Sequence, residues 1–272
     1  MQQVYAPTGK QGVFVCDASS LGWQSAGKEG ISLKPVRYDS ERGQFLGLVG
    51  FEPFVRSGTH QHQGVASSYF VDGALTDHQG SASAGEVGVN LKGATHDAIA
   101  YRKTLLVSRL EAPVLYLPQE DHLALVHAGA RHQTFETPDV DAPPDLNIRV
   151  TDLAAVPTGV DGVNRRMVFD YAGCDDDHRL IELSLRPRSA LPRWRAAKRI
   201  EFWVHGGGVT VNGQPAWGNC FVIIEPNTEV LLDSRFGARL LVWADGPATV
   251  LSAARASRAL NNLFGFETNG AS

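Results

Sequence analysis

Apolar residues in this chain occur in short runs, or alternate with polar residues, and Gly, Pro, Asp and Asn separate these runs at short intervals. Patterns of this kind predict β-strands rather than helices. The predicted strands cover residues 12–16, 44–51, 68–71, 104–110, 114–117, 123–127, 179–185, 200–204, 209–211, 220–224, 229–233 and 239–244. The clearest helical stretch is the tail around residues 249–264, where the periodicity is weaker. The sequence therefore predicts an all-β fold, either a sandwich or a barrel.

A proline-rich, acidic segment at residues 134–145 divides the chain and predicts a linker between two halves. The halves share a spacing that indicates a diverged repeat. In the first half His96 follows Gly85 by eleven residues, and in the second half Glu229 follows Gly218 by the same number. We therefore expect an N-terminal domain at residues 1–135, a linker at 136–148 and a C-terminal domain at 149–272.

Composition narrows the range of partners. The chain has 272 residues, 43% of them hydrophobic, and a formal net charge of −4, so no strong positive field for nucleic acid is present. No apolar stretch approaches the ~18 residues of a membrane helix, and no secretory signal opens the chain. Cys16, Cys174 and Cys220 are scattered and form no C-x-x-C pair, which is typical of a reducing compartment. We expect a cytoplasmic protein with no nucleic-acid and no membrane partner.

The strongest chemical signal is the pair His60 and His62, which are separated by one residue. On a strand, residues two apart point to the same face, so both imidazoles can bind one transition metal. His96 is the third candidate ligand. A site of three histidines would leave coordination positions open for a substrate or for dioxygen.

The other histidines fit other roles. His78 falls in a predicted turn and is expected to be exposed, and His178 and His205 are expected to be structural. A second metal site is an alternative for a group near the domain junction, made up of Glu120, Asp121, His122, His127 and His132.

Two motifs in the first half resemble those of the cupin superfamily. Gly58, His60, His62 and Gly73 follow the first motif, in which a Gly, a His-x-His, a Glu and a Gly-bounded strand succeed one another. Gly85, Gly93 and His96 follow the second motif. The resemblance covers residues 23–117, and the remainder resembles only a second, degenerate cupin unit.

The chain is most similar to the ChrR-like cupins, on the evidence of Trp23, residues 30–34 (GISLK) and residues 77–80 (DHQG). That group includes the cupin domain of certain anti-sigma factors, and acetylacetone and 2,4'-dihydroxyacetophenone dioxygenase-like enzymes. The anti-sigma factors carry an N-terminal zinc-binding domain with His and paired Cys. Here the chain before Trp23 has only Cys16 and no His, which disfavours an anti-sigma function.

The resemblance implies two cupin barrels in tandem, each a double-stranded β-helix or jelly-roll. One departure from the motif matters, because Ala66 stands where the motif has its glutamate. The remaining ligand set, His60, His62 and His96, is similar to that of the three-histidine iron dioxygenases of the superfamily, which cleave β-diketones and related compounds.

The second half lacks the histidine pair, since residues 191–196 read LPRWRA where His-x-His would stand. Glu201 lies near the position of the motif glutamate, and Glu229 near that of His96. Together with Arg193 and Arg195 they would form a polar pocket. The alternative is that Glu201 pairs with a nearby arginine and that this unit is a scaffold.

Strand parity predicts the substrate contacts. Ala66, Ser68 and Phe70 should share the face of the ligands, whereas Ser67, Tyr69 and Val71 should point away. Farther along, Tyr101, Arg102 and Arg109 are candidates to reach an anionic substrate, although surface or interface roles fit them better.

These features favour a mononuclear non-haem iron dioxygenase that binds a small enolisable 1,3-dicarbonyl, hydroxyketone or phenolic substrate by bidentate chelation and cleaves a C–C bond with dioxygen. Fe(II) is the expected metal, and Zn, Ni or Mn would also suit these ligands. The alternatives are a Zn- or Ni-dependent Lewis-acid isomerase, hydrolase or lyase, and a non-catalytic sensing cupin of the ChrR-like type. Monomer and homodimer both remain open.

Overall fold

In a computed structural model of the chain, the described residues are 12–116, 146–174, 177–251 and 263–266, and they are almost entirely strands and turns. They divide into two compact units. Unit 1 contains residues 21–116 and 146–149, and unit 2 contains residues 12–20, 150–174, 177–251 and 263–266. This division differs from the expected boundaries at 1–135, 136–148 and 149–272, because residues 12–20 belong to unit 2 and residues 146–149 belong to unit 1.

The strands alternate with short turns in both units. In chain order they are β1 (Val13–Asp17), β2 (Gln24–Ser25), β3 (Ile31–Asp39), β4 (Gln44–Phe51), β5 (Val55–Arg56), β6 (His60–His62), β7 (Ala66–Asp72), β8 (Ala74–Asp77), β9 (Gly80–Ser83), β10 (Glu86–Asn90), β11 (Thr95–His96), β12 (Ile99–Ala100), β13 (Thr104–Leu110), β14 (Val114–Tyr116), β15 (Leu146–Arg149), β16 (Val156–Pro157), β17 (Val163–Asp170), β18 (Arg179–Leu185), β19 (Ser189–Ala190), β20 (Trp194–Ala196), β21 (Ile200–Val211), β22 (Gln214–Trp217), β23 (Cys220–Ile224), β24 (Glu229–Val230), β25 (Leu232–Ser234), β26 (Ala238–Ala244) and β27 (Ala248–Val250). Short 3₁₀ helices cover Ala18–Ser20, Val150–Asp152 and Tyr171–Cys174.

The two units have the same strand order in their main antiparallel sheets. In unit 1 the order is β15-β10-β7-β13-β4-β3-β2, and in unit 2 the central path is β1-β23-β21-β26-β18-β17-β16. Each unit also has a three-stranded sheet, β11-β6-β14 in unit 1 and β24-β20-β27 in unit 2. This strand-by-strand correspondence supports a diverged repeat. Backbone pairing, however, matches His96 with Val230 rather than with Glu229, the residue that the glycine spacing indicated.

One of the two edge strands of each main sheet comes from outside that half of the sequence. Strand β15, which follows the predicted linker, pairs with β10, and the N-terminal strand β1 pairs with β23. The predicted linker at 136–148 lies outside the described residues except for 146–148, which are strand. The sequence pattern did not reveal this exchange, because it predicted β1 as a strand without its partner and placed most of β15 in the linker.

Alternation along the strands builds the core of each unit. In β21, Ile200, Phe202 and Val204 point into a large apolar cluster. A smaller cluster in unit 1 contains Phe70 and Leu106. In the part of the chain that the structure describes, no helix has the length and hydropathy to cross a membrane.

The predicted C-terminal helix is wrong at its start, since Ala248–Val250 form β27 on the edge of β20. Three apolar or β-branched residues in succession suit a strand as well as a helix, and pairing with β20 decides between them. Residues 252–262 of the predicted helix lie outside the described residues, and a helical turn is present at 263–264.

Candidate metal centre

The three-stranded sheet of unit 1 brings the three predicted histidines together. His60 and His62 are the first and last residues of β6, so their side chains share one face. His96 lies directly opposite His60 in the antiparallel pair β11–β6. All three side chains are largely removed from solvent, with His60 8% and His62 6% exposed.

The three Nε2 atoms converge on one point. His96 Nε2 lies 3.1 Å from His60 Nε2 and 3.2 Å from His62 Nε2. Nitrogen ligands lie about 2.0–2.1 Å from Zn²⁺, so two of them are about 3.0 Å apart at a right angle and about 3.4 Å apart at the tetrahedral angle. The observed separations fall between these values. The residues therefore fit a first-row transition metal held by three imidazoles.

Hydrogen bonds at Nδ1 direct the opposite ring nitrogens toward this point. His60 Nδ1 lies 2.7 Å from the carbonyl oxygen of Gly58, and His96 Nδ1 lies 3.3 Å from Asp77 Oδ2. Because a carbonyl and a carboxylate only accept, both Nδ1 atoms carry the proton and both Nε2 lone pairs are free to bind a metal. Gly58 has a φ of 79°, a left-handed conformation that suits glycine, and its N–H donates to Asp97 Oδ1.

The electrostatics of the site favour a neutral His62 and an ionised Asp77. Burial, followed by the neighbouring His60 and His96, holds the pKa of His62 well below its usual range. Burial alone would raise the pKa of Asp77. The hydrogen bond with His96, a bond from the Gln79 N–H and the nearby histidines outweigh burial, so this pKa lies below its ordinary value. A neutral imidazole is the form that binds a divalent metal, so the lowered pKa of His62 suits it as a ligand.

The histidines open on a cavity of about 390 Å³ inside unit 1. The structure places Ala66, Ser68 and Phe70 on its wall, on the face of β7 that strand parity predicts. Their contact with a substrate stays a prediction. Ser68 Oγ lies 2.7 Å from Ser108 Oγ on the neighbouring strand β13. Most of the remaining wall is apolar and includes Ile31, Phe45, Val49, Phe51 and Leu106.

The other candidates of unit 1 lie away from the cavity wall. Tyr101 is 55% exposed, and Arg102 donates to the carbonyl of Gly73. Arg109 is buried and lies opposite Ser67, on the other face of the sheet, where it forms an ion pair with Glu111 at 2.6 Å. His78 does lie in the turn between β8 and β9, but it is half-buried rather than exposed.

Strand register corrects the expected equivalences in unit 2. Trp194 is the counterpart of His60. In unit 2, Trp194 pairs with Val230 and Val250. In unit 1, His60 pairs with His96 and Tyr116. Glu229 is therefore displaced by one residue from the position of His96, and it forms an ion pair with Arg195 in which both side chains are about half exposed. Because the side-chain period is two, a displacement of one residue turns a side chain to the opposite face.

The same displacement applies to Glu201. Ile200 begins β21 as Ala66 begins β7. Ile200 pairs with Ile224 and Ala244 on the two neighbouring strands. Ala66 pairs in the same way with Asn90 and Leu110. Glu201 is thus the counterpart of Ser67. The positions equivalent to the ligands hold Trp194, Ala196 and Val230, all of which belong to the apolar core. The proposed pocket of Arg193, Arg195, Glu201 and Glu229 is therefore not formed.

Several further expectations concern single residues. The suggested second metal group at residues 120–132 lies outside the described residues. His205 stacks on Trp203 with ring centroids 5.1 Å apart, and His178 lies 3.3 Å from Asp245. Cys16 and Cys220 are free thiols.

Sequence reasoning missed two charged residues of the cavity, Asp77 and Lys28. Asp77 ends β8, a strand of a different sheet from β11, so nothing in the local sequence connects it with His96. The only available signal was its place in the segment DHQG, which entered the family resemblance without a role.

The fold has clear relatives among solved structures. The chain is similar to a putative dioxygenase from Nostoc punctiforme, with a TM-score of 0.66 and 10% identity, over 90% of this chain and 85% of that chain. It is also similar to a variant of Bacillus subtilis oxalate decarboxylase, with a TM-score of 0.61 and 9% identity, over 90% and 81% of the two chains. The structure of that decarboxylase at pH 4.6 gives a TM-score of 0.60 and 10% identity, over 90% and 80%.

At the level of sequence, residues 11–113 match the family model of the ChrR Cupin-like domain. No protein with a curated description matches the chain. The family match and the structural neighbours together support the cupin superfamily. At about 10% identity, the structural neighbours are evidence for the fold only.

Proposed function

We propose that this protein is a mononuclear non-haem iron dioxygenase that acts on a small enolisable 1,3-dicarbonyl, hydroxyketone or phenolic compound. The observation that carries the proposal is the convergence of His60, His62 and His96 on one point at the wall of a mostly apolar cavity. The similarity in fold to a putative dioxygenase agrees with it. The proposed reaction is the oxidative cleavage of a C–C bond of the substrate, and it consumes one dioxygen per substrate molecule.

Three neutral ligands distinguish this site from one that includes a carboxylate. Ala66 is 3% exposed and lines the cavity where the motif glutamate would stand, so it adds no negative charge and takes little space. When bound, Fe(II) would act as a Lewis acid for an anionic bidentate substrate and would supply electrons for dioxygen chemistry. The substitution to alanine thus favours a chelating, enolised substrate.

The chain's own residues would orient the substrate and exclude water. Gly58 and Asp77 fix the two Nδ1 protons, so that His60 and His96 present their Nε2 lone pairs to the cavity. Phe70 is 4% exposed and forms part of the apolar wall. The Ser68–Ser108 hydroxyl pair offers one hydrogen bond to a substrate oxygen, because either hydroxyl can donate.

We further propose that each unit is a cupin barrel, that the two stand in tandem, and that the second is a degenerate scaffold. The support is the shared strand order and the apolar replacement of all three ligand positions in unit 2. The free thiols of Cys16 and Cys220 suit the reducing cytoplasm, where Fe(II) is stable. The remaining partners are the small substrate and dioxygen, and the protein would act as a monomer or a homodimer.

The test combines metal analysis with oxygen uptake. Wild-type protein, purified without added metal, is compared with the His60→Ala/His96→Ala variant and with His205→Ala, a matched loss of a histidine from unit 2. We expect near-stoichiometric iron and oxygen consumption with acetylacetone or a hydroxyketone in the wild type and in His205→Ala, and neither in the double variant.

Other outcomes would replace the proposal. Zinc or nickel at the site, with turnover that continues without oxygen, would indicate Lewis-acid chemistry. Full iron loading without oxygen uptake for any chelating ketone or phenol would contradict the dioxygenase. Protein that refuses added Fe(II) would indicate a binding or sensing module.

A further inference from the structure

Lys28 places a positive charge at the wall of the metal cavity. It lies in the turn between β2 and β3, it is half-buried, and it is among the residues that line the cavity. The rest of the wall is mostly apolar, with side chains such as Ile31 and Phe51, and the Asp77 carboxylate on the same wall lies against His96. An ammonium group in such surroundings gains from a negatively charged partner.

Within the described residues, the Lys28 side chain makes no ion pair and no hydrogen bond. Asp97 is the carboxylate whose charge it feels, but Asp97 already accepts from Arg56 and from the backbone N–H of Gly58. The Asp97 side chain is 2% exposed, so its oxygens are committed inside the protein. Lys28 is therefore not needed to neutralise Asp97.

The environment of the Lys28 ammonium group favours an anionic ligand. Burial lowers the pKa of the Lys28 ammonium, the Asp97 carboxylate acts against this, and Arg56 lowers the pKa further. A carboxylate bound in the cavity would offset these unfavourable contributions. Charge-assisted hydrogen bonds of this type are stronger than neutral ones, most of all where water is displaced.

We propose that Lys28 is an anion-binding residue of the metal cavity, and that the substrate therefore carries a carboxylate besides its two chelating oxygens. A diketo acid with a small apolar body is the class that fits. This inference rests on the proposed function for the chelating part of the substrate, whereas the carboxylate site itself depends only on Lys28 and the apolar wall.

A pair of non-chelating probes tests the carboxylate site by itself. Binding of 3-phenylpropanoate and of 3-phenylpropanamide to the full-length protein is measured by titration calorimetry. The variants are Lys28→Met, Lys28→Arg and, as a matched control, Lys34→Met, which removes a half-buried lysine that packs over Trp23 and does not line the cavity. We expect the wild type to bind the acid roughly tenfold more tightly than the amide, a difference of about 1.4 kcal/mol.

The variants decide the interpretation. The preference for the acid should disappear in Lys28→Met and persist in Lys28→Arg and Lys34→Met. The inference is overturned if the wild type binds neither probe, if it does not discriminate between them, or if Lys28→Met retains the preference.

A second pair of ligands separates this inference from the proposed function. With iron-loaded protein, 2,4-dioxopentanoate should bind at least tenfold more tightly than acetylacetone, and Lys28→Met should weaken only the former. If neither diketone binds but the preference for phenylpropanoate still depends on Lys28, the proposed chelating dioxygenase is contradicted and the anion site is supported. Equal binding of both diketones to the wild type would overturn the inference.

Discussion

The hydrogen bond between Asp77 and His96 offers a sharp test of how the metal site is built. Replacing Asp77 by Asn keeps the size of the side chain and an oxygen acceptor, but removes the negative charge. The His96 Nδ1–Asp77 Oδ2 distance is 3.3 Å, which is long for a hydrogen bond, and the two side chains are 13% and 11% exposed. The charge is therefore sheltered from solvent, while the bond itself is weak in this conformation.

The expected magnitude follows from that geometry. Changes in the groups that orient metal-binding histidines typically cost about 10- to 100-fold in metal affinity. The long distance places Asp77→Asn at the lower end, a loss of roughly tenfold, or about 1.4 kcal/mol. The affinity for Zn²⁺ is measured by competition with a chromophoric chelator at constant pH.

A matched control removes the effect of net charge. Asp72→Asn changes the same charge in the same unit, but Asp72 is exposed at the end of β7 and bonds to the N–H of Gly73. We expect Asp72→Asn to bind Zn²⁺ as the wild type does. If Asp77→Asn bound Zn²⁺ within twofold of the control, the carboxylate would not orient His96 and the reasoning would be refuted.

Three further predictions concern the surroundings of the site. Ala66→Glu, which restores the motif carboxylate, should tighten Zn²⁺ binding in the same chelator assay and reduce oxygen uptake with acetylacetone; unchanged affinity would mean that position 66 does not face the metal. Gly73→Ala should cost about 2 kcal/mol or more in urea unfolding, because φ is +80° and the new Cβ would lie 2.3 Å from Thr104 Oγ1; Gly85→Ala, with φ +86° and open space, should cost less. The metal-free protein should lose stability as pH falls from about 7 to 5, since the pKa of His62 is depressed in the folded state and the unfolded state binds more protons below about 6.5; a slope unchanged in His62→Gln would contradict this.

The sequence was most informative where strands are apolar and bounded by turns. Strands β4, β13, β18 and β23 match the predicted ranges residue by residue. Strand β3 escaped prediction because Lys34, Pro35 and Arg37 interrupt its apolar pattern. In the fold Arg37 is only 2% exposed and donates to Gln44 on the adjacent strand, a compensation that a single sequence cannot display.

The sequence also predicted some residues of the candidate site and not others. The His-x-His spacing predicted that His60 and His62 share a face, and the family motif added His96. Asp77 and Lys28 reach the cavity from a separate sheet and from a turn, and their positions depend on the packing of the whole unit. Contacts of that kind carry no local pattern, so only the fold reveals them.

The errors in unit 2 have a single physical source. Placing Glu229 and Glu201 by sequence spacing leaves each one residue from the position that backbone pairing assigns, and one residue is enough to reverse the face of a strand. Sequence spacing therefore locates a strand with useful accuracy but leaves its inward-facing residues undetermined. Register, read from the pairing of three strands, was needed to identify them.

Unit 2 also serves as an internal control for the histidine cluster. The same three-stranded sheet carries Trp194, Ala196 and Val230 at the ligand positions, where they join the apolar core. The frame thus folds without the histidines. In unit 1 three buried imidazoles with converging lone pairs contribute less to folding than apolar side chains would. A bound metal would relieve the mutual repulsion of the three lone pairs. The three-stranded sheet folds without these histidines, and residues that lower stability without being needed for folding are expected at functional sites. This contrast favours a functional role for His60, His62 and His96 independently of the family resemblance.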